Sequence, residues 1–161
     1  MLLLLGGVAF SQEPTIAMSD SGLKATIVVH AEPEQVKLLL ADPEALYELS
    51  PDVVSVQILE TRGECQELRT ETKGVFSNIV FIELRCPSAN GVTHRLVESD
   101  TFSRYNVDWS VREVEDGTEL TYELEASLSS PLPDRLLHQF AADAAATQLA
   151  NIYARYEDGR K

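Results

Sequence analysis

Basic residues are scarce in this chain. Its 161 residues include 13 Lys and Arg against 26 Asp and Glu, so the formal net charge is −13. Such an excess of negative charge repels the phosphates of nucleic acids and anionic lipid surfaces. No stretch of the sequence concentrates Lys or Arg, and we therefore expect no nucleic acid among the partners.

Long apolar runs are also lacking. The run from Leu2 to Phe10 is shorter than the roughly 20 residues that span a bilayer, so no stable membrane insertion is expected. Its length and the small residues of Ala9-Phe10-Ser11 are typical of a signal peptide, although no Lys or Arg precedes it. We expect residues 1–19 to be a signal-like or disordered segment. A periplasmic or secreted location is favoured; a cytoplasmic protein with an apolar segment packed on its domain is the alternative.

Motifs of catalysis and metal binding are missing. The only cysteines, Cys65 and Cys86, form no CxxC pair, so a zinc site is not expected. His30, His94 and His138 share no ligand spacing, and ordinary half-buried or surface histidines are the simpler interpretation. There is no GxSxG motif and no glycine-rich phosphate loop. No catalytic residue, metal or cofactor is therefore assigned.

The remaining pattern predicts one α+β domain over residues 20–161. The chain is long enough for a substantial core, and 44% of its residues are hydrophobic. Residues 22–30 predict a strand, followed by two short helices that begin near Pro33 and Asp42. Alternating apolar and polar residues then predict six more strands. Their ranges are 53–60, 64–73, 75–86, 92–98, 103–115 and 118–129.

The second and third of these six strands predict a possible disulfide. If their hairpin is centred near Val75 and Phe76, Cys65 lies opposite or close to Cys86. An oxidising compartment would allow the two thiols to form a bond. Two buried, reduced thiols are the alternative.

The last element is a helix over residues 135–157, which contains neither Gly nor Pro. Its middle is rich in alanine, which favours helix formation by itself. Larger residues stand near both ends, including Leu136, Phe140 and Ile152. A slim helix held over a curved sheet leaves empty volume beneath its centre, so a cavity is favoured. Close packing of the alanines on the sheet is the alternative.

The chain resembles the START-like, or SRPBCC, superfamily, in particular its polyketide cyclase/dehydrase and coenzyme Q-binding branch. The similarity covers nearly everything from Lys24 to Glu157 and marks the fold rather than an activity. The segments that carry it are AEPEQV (31–36), LLADPEAL (39–46), SPDVVSV (50–56), WSV (109–111) and DGTEL (116–120).

The resemblance implies a helix-grip fold, a seven-stranded antiparallel sheet curled around the long C-terminal helix with a pocket between them. Members of the superfamily bind lipids, sterols, quinones, polyketides or plant hormones, and a minority catalyse cyclisation or dehydration. We expect this chain to bind or carry an apolar small molecule of lipid, isoprenoid or quinone type. An aromatase/cyclase-like enzyme and an interaction module with a collapsed pocket are the alternatives, and the oligomeric state stays open.

Aromatic and small side chains are the candidates for the ligand-binding surface. Tyr and Trp combine a large contact area with one polar group that can orient a ligand. Ordinary core packing is the alternative for each of them, and an exposed helix face is the alternative for Gln148. The candidates are Phe81, Tyr105, Trp109, Tyr122, Ala141, Ala145, Gln148 and Ile152.

Overall fold

The computed structural model describes residues 12–158, so the apolar run at residues 2–10 lies outside the described residues. It confirms an α+β helix-grip fold with the predicted order of elements. These are β1 (Thr15–Met18), β2 (Gly22–Val29), α1 (Pro33–Ala41), α2 (Pro43–Glu48), β3 (Val53–Arg62), β4 (Cys65–Thr72), β5 (Ile79–Ser88), β6 (Gly91–Ser99), β7 (Phe102–Val114), β8 (Gly117–Leu128) and α3 (Asp134–Asp158).

The sheet has eight strands rather than the seven expected. Strands β3 to β8 form a continuous antiparallel meander, and β2 pairs with β8, so the order is β1-β2-β8-β7-β6-β5-β4-β3. The additional strand β1 pairs along β2 and falls inside the segment expected to be signal-like or disordered. Four residues of TIAM are too short for the alternation of side chains to reveal a strand.

Caps define the two short helices. Glu32 and Gln35 form a capping box at the start of α1, and Pro33 occupies its first turn. The Asp42 carboxylate accepts hydrogen bonds from the backbone amides of Glu44 and Ala45 and so begins α2. The sharp junction between the helices directs Leu46 and Tyr47 of α2 toward the concave face of the sheet.

Helix α3 crosses the concave face and packs mainly on β2 and β8. In its C-terminal half, Leu149 and Ile152 are fully buried. At its N-terminal end, Leu136 is exposed and Phe140 is only partly buried. Leu137 and His138 are buried beside them, so α3 packs on the sheet near both of its ends.

The β4–β5 hairpin is centred where the sequence places it. Paired residues such as Thr72 and Ile79 lie symmetrically about Val75 and Phe76. Continuing the same register brings together Cys65 and Cys86, which form a disulfide with a Cα–Cα distance of 4.3 Å. Strand β5 continues through Pro87 to Ser88, so the turn to β6 is shorter than the segment 87–91 that separates the two predicted strands.

None of the described helices is long and apolar enough to cross a membrane.

Replacing both cysteines, Cys65→Ser with Cys86→Ser, should lower the free energy of unfolding by about 3 kcal/mol, because the bridge closes a loop of about 20 residues in the unfolded chain. Chemical denaturation of both proteins under oxidising conditions measures the difference. Reducing agent should lower the stability of the wild type to that of the double variant. Equal stabilities with and without reductant would show that the bridge does not constrain the unfolded chain.

Candidate functional site

A cavity of about 220 Å³ lies between the concave face of the sheet and the N-terminal half of α3. Strands β7 and β8 supply one wall, since alternate residues of a strand point to the same face. Helix α3 supplies the opposite wall, and α2 closes one end. The alanine-rich middle of α3 therefore stands over empty volume, which is the outcome that the cavity interpretation of the sequence favoured.

The sheet wall is aromatic. Tyr105 and Trp109 point inward from β7, and Tyr122 points inward from β8. The Trp109 and Tyr122 rings meet edge to face with centroids 4.8 Å apart, and Tyr105 lies 5.0 Å from Phe102. These three predicted site residues all line the cavity.

The helix wall consists of small residues followed by one amide. Ala141 lines the cavity, Ala144 and Ala145 line it one turn later, and Gln148 follows at its buried end. The Gln148 amide donates to the backbone carbonyl of Leu46 at 3.4 Å, so it ties α3 to α2. The structure thus brings Ala141, Ala145 and Gln148 to the same cavity as the aromatic residues.

Two of the predicted site residues do not line the cavity. Phe81 is buried behind its wall, where its ring packs against Phe102 and Tyr105 at centroid distances of 5.3 and 4.8 Å. Ile152 lies in the C-terminal half of α3, fully buried in the core. Phe81 is covered by the Phe102 and Tyr105 rings, and Ile152 lies one helical turn beyond Gln148, so both belong to the core.

Exposed apolar residues surround the mouth of the cavity. Val75 and Phe76 come from the β4–β5 loop, and Leu132 and Leu136 come from the segment that leads into α3. The Phe76 side chain is 78% exposed. These four side chains give the mouth an apolar surface, and Asp52 and Lys73 also line the cavity.

Polar side chains gather at the closed end. The Glu83 carboxylate, 1% exposed, accepts hydrogen bonds on a single oxygen from Tyr47 at 2.6 Å and from Thr70 at 3.4 Å. The same oxygen lies 3.0 Å from Nδ1 of His94. An ionised carboxylate can only accept, so Nδ1 carries a proton that it donates to Glu83. Tyr47 and His94 line the cavity, whereas Glu83 does not line it and accepts a hydrogen bond from each of them.

Burial and these hydrogen bonds act in opposite directions on the acid. Burial alone raises the pKa of Glu83, but the neighbouring His94 and the hydrogen bonds from His94, Tyr47 and Thr70 lower that pKa below its usual value. Burial, followed by the Glu83 charge, raises the pKa of Tyr47 well above its usual range. Burial also raises the pKa of Tyr105 and of Tyr122. The phenols of the site are therefore neutral, and Glu83 is ionised.

A buried guanidinium stands beside this group. Arg85 is paired across the strands with His94 and is only 4% exposed. It donates to the Gln66 side chain at 3.3 Å, and burial lowers its pKa from the usual value. A guanidinium stays charged in proteins, so Arg85 balances the charge of Glu83 nearby.

The other two histidines, and Asp108 of β7, lie away from the cavity. His138 is buried and hydrogen-bonds to the carbonyl of Ala126 at 2.9 Å, and His30 pairs with Glu157. Asp108 faces solvent and pairs with Arg95, as its position next to Trp109 predicts. Within residues 12–158, no cluster of three His, Cys, Asp or Glu side chains is arranged to hold a metal ion.

The sequence analysis missed Tyr47 and Glu83, and it interpreted His94 as an ordinary half-buried or surface histidine, whereas His94 is buried and paired with Glu83. A signal for them exists in β5, where Phe81, Glu83 and Arg85 alternate on one face and Ile82 and Leu84 occupy the other. Because apolar residues occur on both faces, the alternation does not decide which face is buried. The sequence alone favours a solvent-facing position for Glu83 and Arg85, although both lie inside.

Comparisons with known proteins agree with the fold described above. A family model described as polyketide cyclase/dehydrase and lipid transport matches residues 22–157. None of the curated proteins matches the sequence significantly.

Solved structures share the fold at low sequence identity. A START superfamily protein from Mycobacterium smegmatis superimposes with a TM-score of 0.73 at 20% identity, covering 84% of this chain and 96% of its own. The Zhui aromatase/cyclase from a Streptomyces species gives a TM-score of 0.73 at 17% identity, covering 86% and 94%. A STAR-related lipid transfer protein from Xanthomonas axonopodis gives 0.66 at 16% identity, covering 91% and 99%.

The Glu83→Gln variant should lose about 1–3 kcal/mol of unfolding free energy at neutral pH, because a neutral amide is a weaker acceptor for three buried donors. Since the folded pKa of Glu83 lies below its ordinary value of 4.5, its stabilisation is present above that pH and is lost as the pH falls further. The variant should therefore lose less stability than the wild type below about pH 4.5. Thermal unfolding across pH 3–7 measures both effects.

Glu64→Gln is the matched control, since Glu64 is exposed in the β3–β4 turn. Its acid profile should follow the wild type. A Glu83→Gln profile that also follows the wild type would contradict the ionised state of Glu83.

Proposed function

Because this chain belongs to the polyketide cyclase/dehydrase and lipid transport family, whose members bind hydrophobic ligands, we propose that it binds an apolar small molecule between the sheet and α3. The observation that supports this most directly is the cavity of about 220 Å³ beneath Ala141, Ala144 and Ala145. An apolar cavity of about 150 Å³ is sufficient to bind benzene. A ligand with a two-ring or comparable aliphatic body fits this volume, and a longer chain would extend through the mouth.

Burial of the ligand's hydrocarbon supplies the affinity. Each 60 Å² of apolar surface removed from water contributes about 1.5 kcal/mol, or about tenfold in the dissociation constant. Neutral tyrosines and one tryptophan line the sheet wall, so the ligand exchanges water for aromatic surface without burying an unpaired charge. Lipids, isoprenoids and quinones all have this character, and carriage of such a molecule is the function we favour.

An interaction module with a collapsed pocket is the less favoured alternative. It requires the alanines of α3 to pack directly onto the sheet, which would leave room for water at most. The observed volume exceeds that of several water molecules. Small-molecule binding therefore explains the alanine-rich helix better than close packing does.

We also propose an oxidising compartment, periplasmic or extracellular, as the place of work. The disulfide between Cys65 and Cys86 supports this, since such bonds are rare where thiols are kept reduced. Alkylation and mass spectrometry of the protein isolated from its native cells would find both cysteines bridged. Two alkylated cysteines in the native protein would place it in a reducing compartment instead.

Filling the cavity should abolish binding. In Ala144→Phe, the added ring occupies space that the ligand needs, and the affinity for the neutral fluorescent probe N-phenyl-1-naphthylamine should fall about tenfold or more. Ala150→Phe adds the same ring on the exposed side of the same helix and should bind like the wild type. Fluorescence titration of the three proteins measures the dissociation constants.

Solvent extraction and mass spectrometry of the purified wild type should also release an apolar molecule that Ala144→Phe lacks. Equal probe binding by Ala144→Phe and Ala150→Phe, with no extracted molecule in any of the proteins, would refute the proposal.

Aromatase/cyclase-like catalysis is a second candidate, and the Glu83–His94 pair favours it. Cyclisation of a ketone begins when a base removes the proton next to the carbonyl. Nδ1 of His94 is paired with Glu83, and Nε2, which has no partner among the described residues, is the nitrogen that would take this proton. The electron pair of the broken C–H bond passes to the carbonyl oxygen as an enolate.

This candidate function predicts deuterium exchange into a bicyclic ketone. In D2O, the wild type should accelerate exchange at C2 of 1-tetralone about 100-fold over buffer, and His94→Phe should not. Mass spectrometry of the recovered ketone follows the reaction. A wild-type rate equal to that of buffer alone would leave binding as the function and exclude His94 as a base for such ketones.

A further inference from the structure

Three buried polar side-chain atoms of the described residues lack a hydrogen-bond partner, and all three lie in one cross-strand pair. They are Nε and Nη2 of Arg85 and Nε2 of His94. Buried polar groups are nearly always paired, because an unpaired one loses its hydration without compensation. His94 lines the closed end of the cavity with Arg85 beside it, which indicates that this end is built to receive a polar group.

Of the two side chains, only His94 lines the cavity. A ligand that enters from the mouth therefore reaches His94 first, and Arg85 lies one strand beyond it. Glu83 holds the His94 ring by Nδ1, at 3.0 Å, and thereby fixes both its orientation and the nitrogen that carries the proton. A hydroxyl group both donates and accepts, so it can pair with Nε2 whether or not that nitrogen carries a proton.

The charges around His94 disfavour an anionic ligand. The Glu83 carboxylate and the Arg85 guanidinium balance one another, and Tyr47, Tyr105 and Tyr122 are neutral phenols. A second carboxylate placed at His94 would lie next to that of Glu83, where repulsion is strong because little water screens it. An uncharged donor meets no such penalty.

We propose that the closed end of the cavity is a hydroxyl-recognition site, in which an alcohol or phenol on an apolar ligand forms a hydrogen bond with Nε2 of His94. The inference rests on the proposed binding function and narrows its ligand class. Apolar molecules with a hydroxyl group at one end are selected over hydrocarbons of the same shape and over carboxylates. The hydroxyl enters first, and the apolar body fills the space between the aromatic wall and the alanines of α3.

Naphthalene, 2-naphthol and 2-naphthoate test the proposal with one ring system and three end groups. The quantity measured is the ratio of the dissociation constants of naphthalene and 2-naphthol in each protein, by calorimetric or fluorescence titration. Comparing this ratio between proteins cancels the cost of dehydrating the hydroxyl group. In His94→Phe, which keeps a ring but no acceptor, the ratio should shift against 2-naphthol by about 3- to 10-fold.

Two further variants serve as controls. His94→Gln keeps an acceptor oxygen and should retain part of the preference for 2-naphthol. His30→Gln replaces a histidine outside the cavity, paired with Glu157, and should leave the ratio unchanged. 2-Naphthoate should bind the wild type more weakly than 2-naphthol.

A measurement on the wild type alone guards against a variant that fails to fold. Bound 2-naphthol, but not bound naphthalene, should shift the 15N resonance of Nε2 of His94. If both probes bind and neither the ratio nor the resonance responds, the hydroxyl site is refuted while the binding function stands. If no probe binds, the binding function itself fails. Tighter binding of 2-naphthoate than of 2-naphthol would overturn the charge argument and show an anion site instead.

Discussion

The structure depends on the tight seal between the C-terminal half of α3 and the domain beneath it. Leu149 and Ile152 are fully buried there, and Asn151 donates to the carbonyl of Leu49 at 2.9 Å. The Tyr156 hydroxyl donates to the carbonyl of Gln35 at 3.3 Å. The N-terminal end of the helix is held as well, by the buried Leu137 and by the hydrogen bond between His138 and the carbonyl of Ala126 at 2.9 Å. The cavity is the volume that this arrangement leaves open.

The polar group at the closed end adds direction to an otherwise apolar space. Buried charges such as Glu83 and Arg85 contribute little net stability, because the loss of hydration offsets their attraction. Their value to the fold lies in fixing the His94 ring and the Tyr47 hydroxyl at defined positions. A cavity lined only by aromatic and alanine side chains would accept a ligand in either orientation. The polar group makes the two ends of the cavity chemically different.

Much of the fold could be predicted from the sequence, because caps, turns and strand alternation are local signals. The hairpin register followed from its centre near Val75, and the cavity followed from the small side chains of α3. The short strand β1 could not be predicted, since it forms by pairing with β2 and its four residues carry no strand pattern of their own. The buried placement of Glu83 was missed for a related reason. Its stability depends on donors from Tyr47, Thr70 and His94, which belong to three other elements.

The disulfide has a mechanical consequence for the mouth of the cavity. It joins β4 and β5 at the end of the hairpin that is remote from the loop over residues 73–78. A hairpin with a covalent bond at its base cannot slide along its own register, so its two strands keep their pairing. The tip of the hairpin, where Val75 and Phe76 stand in solvent, lies far from the bond. The covalent bond thus leaves unclamped the end of the hairpin that borders the path of a ligand.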